Sequence, residues 1–123
     1  MINFRRLGQS FKYAIAGWNK VFWAEQNFRI HSLAALLVLI LAIWFQITVF
    51  EFIIIIFIIG FVFILEIVNT IFERLLDLVK PRLHSYVHDI KDMTAAIVLI
   101  GSIVAAIVGF LIFYPYFLAL LIK

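Results

Sequence analysis

Residues 63–80 read "FILEIVNTIFERLLDLVK", and this stretch decides how the chain is to be folded. It opens in a run as apolar as any in the sequence, then sets Glu66, Asn69, Thr70, Glu73 and Asp77 into one continuous helical pattern. At about 100° per residue these five positions fall within roughly 100° of one another, forming a polar stripe about 16 Å long. Apart from Arg74, the positions between them, Ile67, Val68, Ile71, Phe72, Leu75 and Leu76, stay apolar. A helix of this kind leaves a hydrocarbon phase along its polar edge. An ionised carboxylate at that depth costs at least a few kcal/mol, and intramembrane ionisable groups are functional by default.

Composition agrees with a membrane reading. The 123 residues are 67% hydrophobic and 14% charged, with a mean hydropathy of +1.18. A soluble domain of this length could not bury so much Ile, Leu and Phe. There is no cysteine, which excludes disulfides and thiolate chemistry. The first strongly apolar run starts near residue 33, is too long for a signal-peptide core and lacks a small-residue cleavage site, so the N-terminus is expected to remain on the protein.

From Leu33 to Phe72 the only clearly polar positions are Gln46, Thr48, Glu51, Glu66, Asn69 and Thr70. One helix over that range would measure roughly 60 Å against a hydrocarbon core of about 30 Å, so two spans must fold back on each other. The polar cluster in "FQITVFEF" (45–52) marks the reversal, although neither Gly nor Pro punctuates it. The expected spans are 29–47, 50–72 with helix continuing to about 79, and 93–113. Pro115 in "YPYF" is expected to stop the last helix, with Tyr114 and Tyr116 at an interface. In residues 1–24, Phe4, Leu7, Phe11, Ala14, Ile15, Trp18, Val21 and Phe22 recur at helical spacing opposite Arg5, Arg6, Gln9, Lys12, Asn19 and Lys20, the pattern of an amphipathic helix on a membrane surface. The class is all-α integral membrane, a single domain without internal repeats.

Charge sets the expected orientation. Nine of the ten Lys and Arg residues (Arg5, Arg6, Lys12, Lys20, Arg29, Arg74, Lys80, Arg82 and Lys91) lie before the first span or in the 73–92 loop; Lys123 is alone at the other face. The N-terminus and that loop are therefore cytoplasmic. The net charge of +3 is an orientation signal and an attraction to anionic lipid, and gives no case for nucleic acid.

Two further polar groups share the depth of the stripe. "AEQNFRIH" (24–31) sets Glu25, Asn27, Arg29 and His31 at the start of the first span; "HDIKDMTAA" (88–96) sets Lys91 and Asp92 at the start of the third, where Asp92 is suited to cap the helix. Carboxylates without thiolates or paired imidazoles suit a hard cation such as Mg²⁺, which takes one or two carboxylates and otherwise rides on phosphates. Lys91 beside them favours a nucleotide triphosphate, and Glu66 is deep enough to take a proton from a lipid hydroxyl. The five glycines form neither a P-loop nor a glycine-rich kinase loop, so the nucleotide site would be non-standard. The rival reading is a channel-forming or accessory subunit. A channel needs polar residues along the full height of a span, whereas Phe52 to Leu65 is apolar throughout.

"EIVNTIFERLLDLV" (66–79) followed by "KDMTAAIVL" (91–99) resembles the prokaryotic diacylglycerol kinase family of small three-span bacterial lipid kinases, whose pattern reads E-x-x-N-[ST]-x-x-E-x-x-x-D and then K-D-x-x-A. "SFKYAIAG" (10–17) and "EQNFRIH" (25–31) are similar to its upstream segment, particularly in members that look like undecaprenol kinases. The resemblance covers essentially the whole chain. It implies an ATP-dependent kinase of a membrane lipid alcohol in the bacterial inner membrane, assembled as a homotrimer. It further implies that Glu66 is the proton acceptor, Glu25 and Glu73 the magnesium carboxylates, and Asn69, Asp77, Lys91 and Asp92 nucleotide contacts, with Arg6, Tyr13 and His84 as additional contacts. Phe72, Thr94, Ala96 and Ile97 stand where the family usually has smaller residues or glycine, so helix approach near the site is expected to differ.

Overall fold

The computed structural model describes residues 3–79 and 84–122, the side chain of His84 apart. The described chain is all-helical: α1 (Phe4–Ala24), α2 (Gln26–Phe45), α3 (Val49–Val79) and α4 (His84–Leu121). The last three are each long and apolar enough to cross a membrane. Lys80, Arg82 and Lys123, which entered the orientation argument, lie outside the described residues.

The helix ends explain the boundaries. Asn3 caps α1 by accepting the Arg6 backbone N–H at 3.2 Å. A single extended residue, Glu25, separates α1 from α2, and its N–H closes α1 on the Val21 carbonyl at 2.9 Å. Gln46 turns left-handed (φ 52°), with its N–H on Ile43 and the Ile47 N–H on Ala42, both at 3.2 Å, a Schellman closure made without glycine. Two residues later Thr48 and Glu51 form a capping box for α3. The Thr48 N–H donates to Glu51 Oε2 at 2.8 Å and the Glu51 N–H to Thr48 Oγ1 at 3.3 Å. The reversal inside the expected 45–52 window is thus Gln46–Thr48, and its signal was T-x-x-E.

Two expectations are corrected at α4. The helix begins at His84, so Asp92 lies two turns inside it and does not cap it. Pro115 does not end it either, since α4 runs on to Leu121. Proline deletes one backbone hydrogen bond, but the turn around it is held from outside. Phe45 packs against Phe113, Tyr116 and Phe117, with ring centroids 6.2, 5.7 and 4.8 Å away, and the Tyr116 hydroxyl donates to Glu51 Oε2 at 2.7 Å.

α3 and α4 share the most extensive helix contact. Ala42, Ile55, Ile112 and Phe113 form the core at the Gln46–Thr48 end. Further along, Gly101 allows the close approach of α4 to α3, because a Cβ there would collide with the Leu65 side chain. At the opposite end an aromatic knot ties α1 down. Phe28 is fully buried, with Trp18 edge-on at 4.9 Å and Phe63 tilted at 5.1 Å; Trp18 also meets Phe63 at 5.2 Å. Phe4, Leu7, Phe11 and Ile15 remain exposed on α1.

Phe28→Ala should remove the knot at a cost of about 2 kcal/mol or more, mostly lost packing because lipid is itself apolar. The expected result is a lower melting midpoint in detergent and faster labelling of a cysteine introduced at Val21. Unchanged labelling would show that α1 is held by something else.

Candidate active site

The stripe on α3 becomes a gradient of burial. Glu66 and Thr70 are each 2% exposed, Asn69 and Glu73 are half-buried, and Asp77 is open to the surroundings. Thr70 is satisfied locally, its hydroxyl donating to the Glu66 carbonyl at 3.0 Å.

Glu66 meets a group that sequence reasoning did not assign. His31 of α2 brings Nδ1 to 2.7 Å from Glu66 Oε1, and neither buried atom has any other polar partner among the described residues. On its far side His31 Nε2 lies 3.3 Å from Ser102 Oγ of α4. One ring therefore links all three long helices at the depth of the carboxylate. The sequence groups His31 with the polar residues at the start of the first span. Its signal was a titratable side chain already inside a helix that starts at Gln26, with Ser102 as the lone polar residue between Thr94 and Tyr114.

Below Glu66 the Asn69 amide donates to Glu73 Oε1 at 3.0 Å, which orients that carboxylate. The Asn69 carbonyl oxygen is buried and has no hydrogen-bond partner among the described residues. An acceptor left bare in this way is costly unless something arrives to meet it. Glu25 reaches the same region from the α1–α2 joint. It is the backbone N-cap of α2 but makes no side-chain cap bond, so its carboxylate is available. Its charge and that of Glu73 both act on Glu66.

At the open end Lys91 of α4 donates to Asp77 Oδ1 at 2.7 Å, and Lys91 also feels the charge of Glu73. Thr94, buried, fixes the turn by donating to the Lys91 carbonyl at 3.0 Å. The structure therefore brings together Glu25, Glu66, Asn69, Glu73, Asp77 and Lys91. It does not bring in Asp92, which pairs on the surface with His88 of its own helix at 3.2 Å. Arg6 and Tyr13 are exposed on α1, with no hydrogen bond or ion pair to the stripe among the described residues. His84 begins α4 and its side chain lies outside those described. No cluster of three or more His, Asp or Glu is spaced to hold a metal among the described residues. Between α2, α3 and α4 lies a cavity of about 230 Å³ whose lining is aliphatic and aromatic except for His31 and Ser102.

A graded carboxylate stripe, a lysine across from it and an apolar outer half make a recognisable set. The sequence profile described as prokaryotic diacylglycerol kinase matches residues 12–113. The chain belongs to that family of lipid kinases. It is similar to the undecaprenol kinase of Bacillus subtilis (strain 168), with 34% identity over 110 residues, covering 89% of each chain. It is 33% identical over 114 residues to a diacylglycerol kinase of Synechocystis, covering 92% of this chain and 65% of that one. The diacylglycerol kinase of Escherichia coli (strain K12) is 29% identical over 114 residues, with 93% of both chains covered. The resemblance read from "EIVNTIFERLLDLV" and "KDMTAAIVL" is therefore correct.

The Lys91–Asp77 pair spans two helices, yet its side chains are 33% and 59% exposed, so solvent screens it and it contributes little to stability. Asp77→Asn and Lys91→Gln should leave the melting midpoint within about 2 °C of wild type. A large fall in turnover in the same variants would then be chemical in origin. A melting shift of ten degrees would instead make the pair a structural brace.

Proposed function

We propose that the chain transfers the γ-phosphoryl group of ATP to the hydroxyl of a membrane lipid alcohol at the cytoplasmic face of the bacterial inner membrane. Undecaprenol and diacylglycerol are the candidate acceptors, taken from the names of its relatives. The observation that carries this reading is the gradient itself. A proton acceptor at hydrocarbon depth, Glu66, continues along one helix edge into a water-facing set of acids paired with a lysine. A lipid hydroxyl and a nucleotide need to meet across that boundary. The reading of a channel or accessory subunit has no comparable support, because the outer part of α3, Phe52 to Leu65, has no polar residue and packs into an apolar core.

In this reading Glu66 accepts the hydroxyl proton, and the alcohol oxygen attacks the γ-phosphorus in line with the leaving nucleoside diphosphate. Lys91, held by Asp77 at the open end, supplies positive charge to the phosphates as negative charge shifts toward the leaving group. The bare Asn69 carbonyl oxygen is an acceptor for a nucleotide amine or a metal-bound water, and its amide keeps Glu73 turned to the site. Asp92, Arg6, Tyr13 and His84 remain candidate nucleotide contacts from the family pattern, requiring a nucleotide to draw them in.

Mg²⁺ is the proposed cofactor, and the donor set fits it. Two carboxylates, Glu25 without a cap bond and Glu73 oriented by Asn69, are the hard oxygen ligands that Mg²⁺ on a nucleotide takes, and a cluster of three is not required. When bound it would neutralise phosphate charge. A homotrimer with α1 along the headgroup plane completes the proposal. The exposed apolar strip of α1 suits that plane, and a site open on one flank needs a neighbouring copy to shield it.

The test is phosphate transfer from labelled ATP with Mg²⁺ to diacylglycerol and undecaprenol, offered side by side in mixed micelles. Transfer to at least one is expected, and transfer to neither would overturn the reading. Glu25→Gln and Glu73→Gln should each reduce turnover to background even at saturating Mg²⁺, since an amide carries no charge to offset the metal. Near-normal rates in both would remove them as ligands. For orientation, a cysteine at Thr48 should react with an impermeant label on intact cells, and one at Ser85 should not.

A further inference from the structure

His31 has no role in the proposed transfer as described so far, yet its ring is the only titratable contact that Glu66 makes among the described residues. The hydrogen bonds around it favour one distribution of its protons. The Ser102 hydroxyl donates to the Val98 carbonyl at 2.8 Å, so its single proton is committed and its oxygen faces His31 Nε2 as an acceptor. Nε2 therefore carries a hydrogen. What remains is one proton between Nδ1 and Glu66 Oε1. With it on nitrogen the ring is a cation and Glu66 is a carboxylate; with it on oxygen both groups are neutral. Only the first arrangement leaves Glu66 able to accept a proton from a substrate.

We propose that His31 is a positioning residue for phosphoryl transfer: held by Ser102, its imidazolium keeps Glu66 a carboxylate within the bilayer and occupies Oε1, leaving Oε2 for the lipid hydroxyl. This rests on the reading of Glu66 as the proton acceptor and adds what makes that reading workable. An unpaired carboxylate at this depth would hold its proton and be no base. The titratable groups around Glu66 are His31 from α2, Glu25 ahead of α2, and Glu73 on its own helix. α4 contributes the neutral Ser102 to the ring, and α1 contributes Trp18 to the neighbouring aromatic knot. Two of the three are carboxylates, and His31 is the one basic group among them.

The step balances without a further reactant. The lipid O–H bond breaks and its proton moves to Glu66 Oε2. The alcohol oxygen bonds to the γ-phosphorus as the bond from that phosphorus to the β,γ-bridging oxygen breaks, and the nucleoside diphosphate leaves with the electron pair. Glu66 then releases its proton to water, and His31 keeps both of its hydrogens throughout.

The test compares His31→Gln, Ser102→Ala, Glu66→Gln and the His31→Gln/Glu66→Gln double variant as purified full-length protein, assayed for transfer to the better lipid acceptor across about pH 6–9. His31→Gln should lose about tenfold or more in kcat near neutrality and recover toward wild type as the pH rises by about two units, with the KM for ATP and the melting midpoint unchanged. Ser102→Ala should shift the profile in the same direction by less. The double variant should be no slower than Glu66→Gln alone. His31→Gln with a wild-type rate and profile, beside an inactive Glu66→Gln, would overturn the role of His31 while leaving Glu66 as the base. His31→Gln inactive at every pH with a lowered midpoint would make it a structural residue and overturn the proposal. A Glu66→Gln enzyme with wild-type turnover would overturn both readings.

Discussion

A carboxylate two percent exposed, on a helix whose neighbours are Ile, Val, Phe and Leu, is the constraint that organises this molecule. Burying a carboxyl group is tolerable only when it is paired and the pair is itself held. Glu66 meets both conditions through one ring, because His31 reaches it from α2 and is held by Ser102 from α4. α3 and α4 pack closely here, and at Gly101, adjacent to Ser102, the Leu65 side chain of α3 occupies the space that a Cβ would take. A residue without a side chain thus sits next to the residue that holds the histidine.

The two ends of the bundle are built by different physics. At the Gln46–Thr48 turn the helices are pinned by apolar packing and by the carboxylate of Glu51, which serves the Thr48 cap and the Tyr116 hydroxyl together. That carboxylate is fully employed in structure. At the other end the polar groups are less employed: Glu25 makes no side-chain cap bond, and the Asn69 carbonyl oxygen has no hydrogen-bond partner among the described residues. The same residue types therefore separate into those that close the fold and those that the proposed transfer can use, and partner geometry distinguishes them where sequence does not.

How much was legible follows from the period of each signal. The α3 stripe was readable because five polar positions at helical spacing in an apolar run have one geometric meaning, and they emerged on one edge, graded by depth. Long apolar helices were readable from length alone. Helix ends were less so, since caps are local chemistry: the T-x-x-E box at Thr48–Glu51 was present but was read as a loose polar cluster, and Pro115 was given more weight than the tertiary contacts that keep its helix intact. Contacts between helices were not readable at all. Nothing in the spacing of His31, Glu66 and Ser102, separated by 35 and 36 positions, announces that they converge.

That convergence is supported unevenly along α4. Thr94 and Gly101 lie two turns apart on α4, and they treat α3 differently. Thr94 is buried and spends its hydroxyl on the Lys91 carbonyl, stiffening the turn that presents the lysine, while Gly101 removes bulk opposite Leu65. The crowded contact at Gly101 thus stands beside Ser102 and the buried Glu66–His31 pair, whereas the Lys91–Asp77 pair further along α4 is partly exposed and screened by solvent.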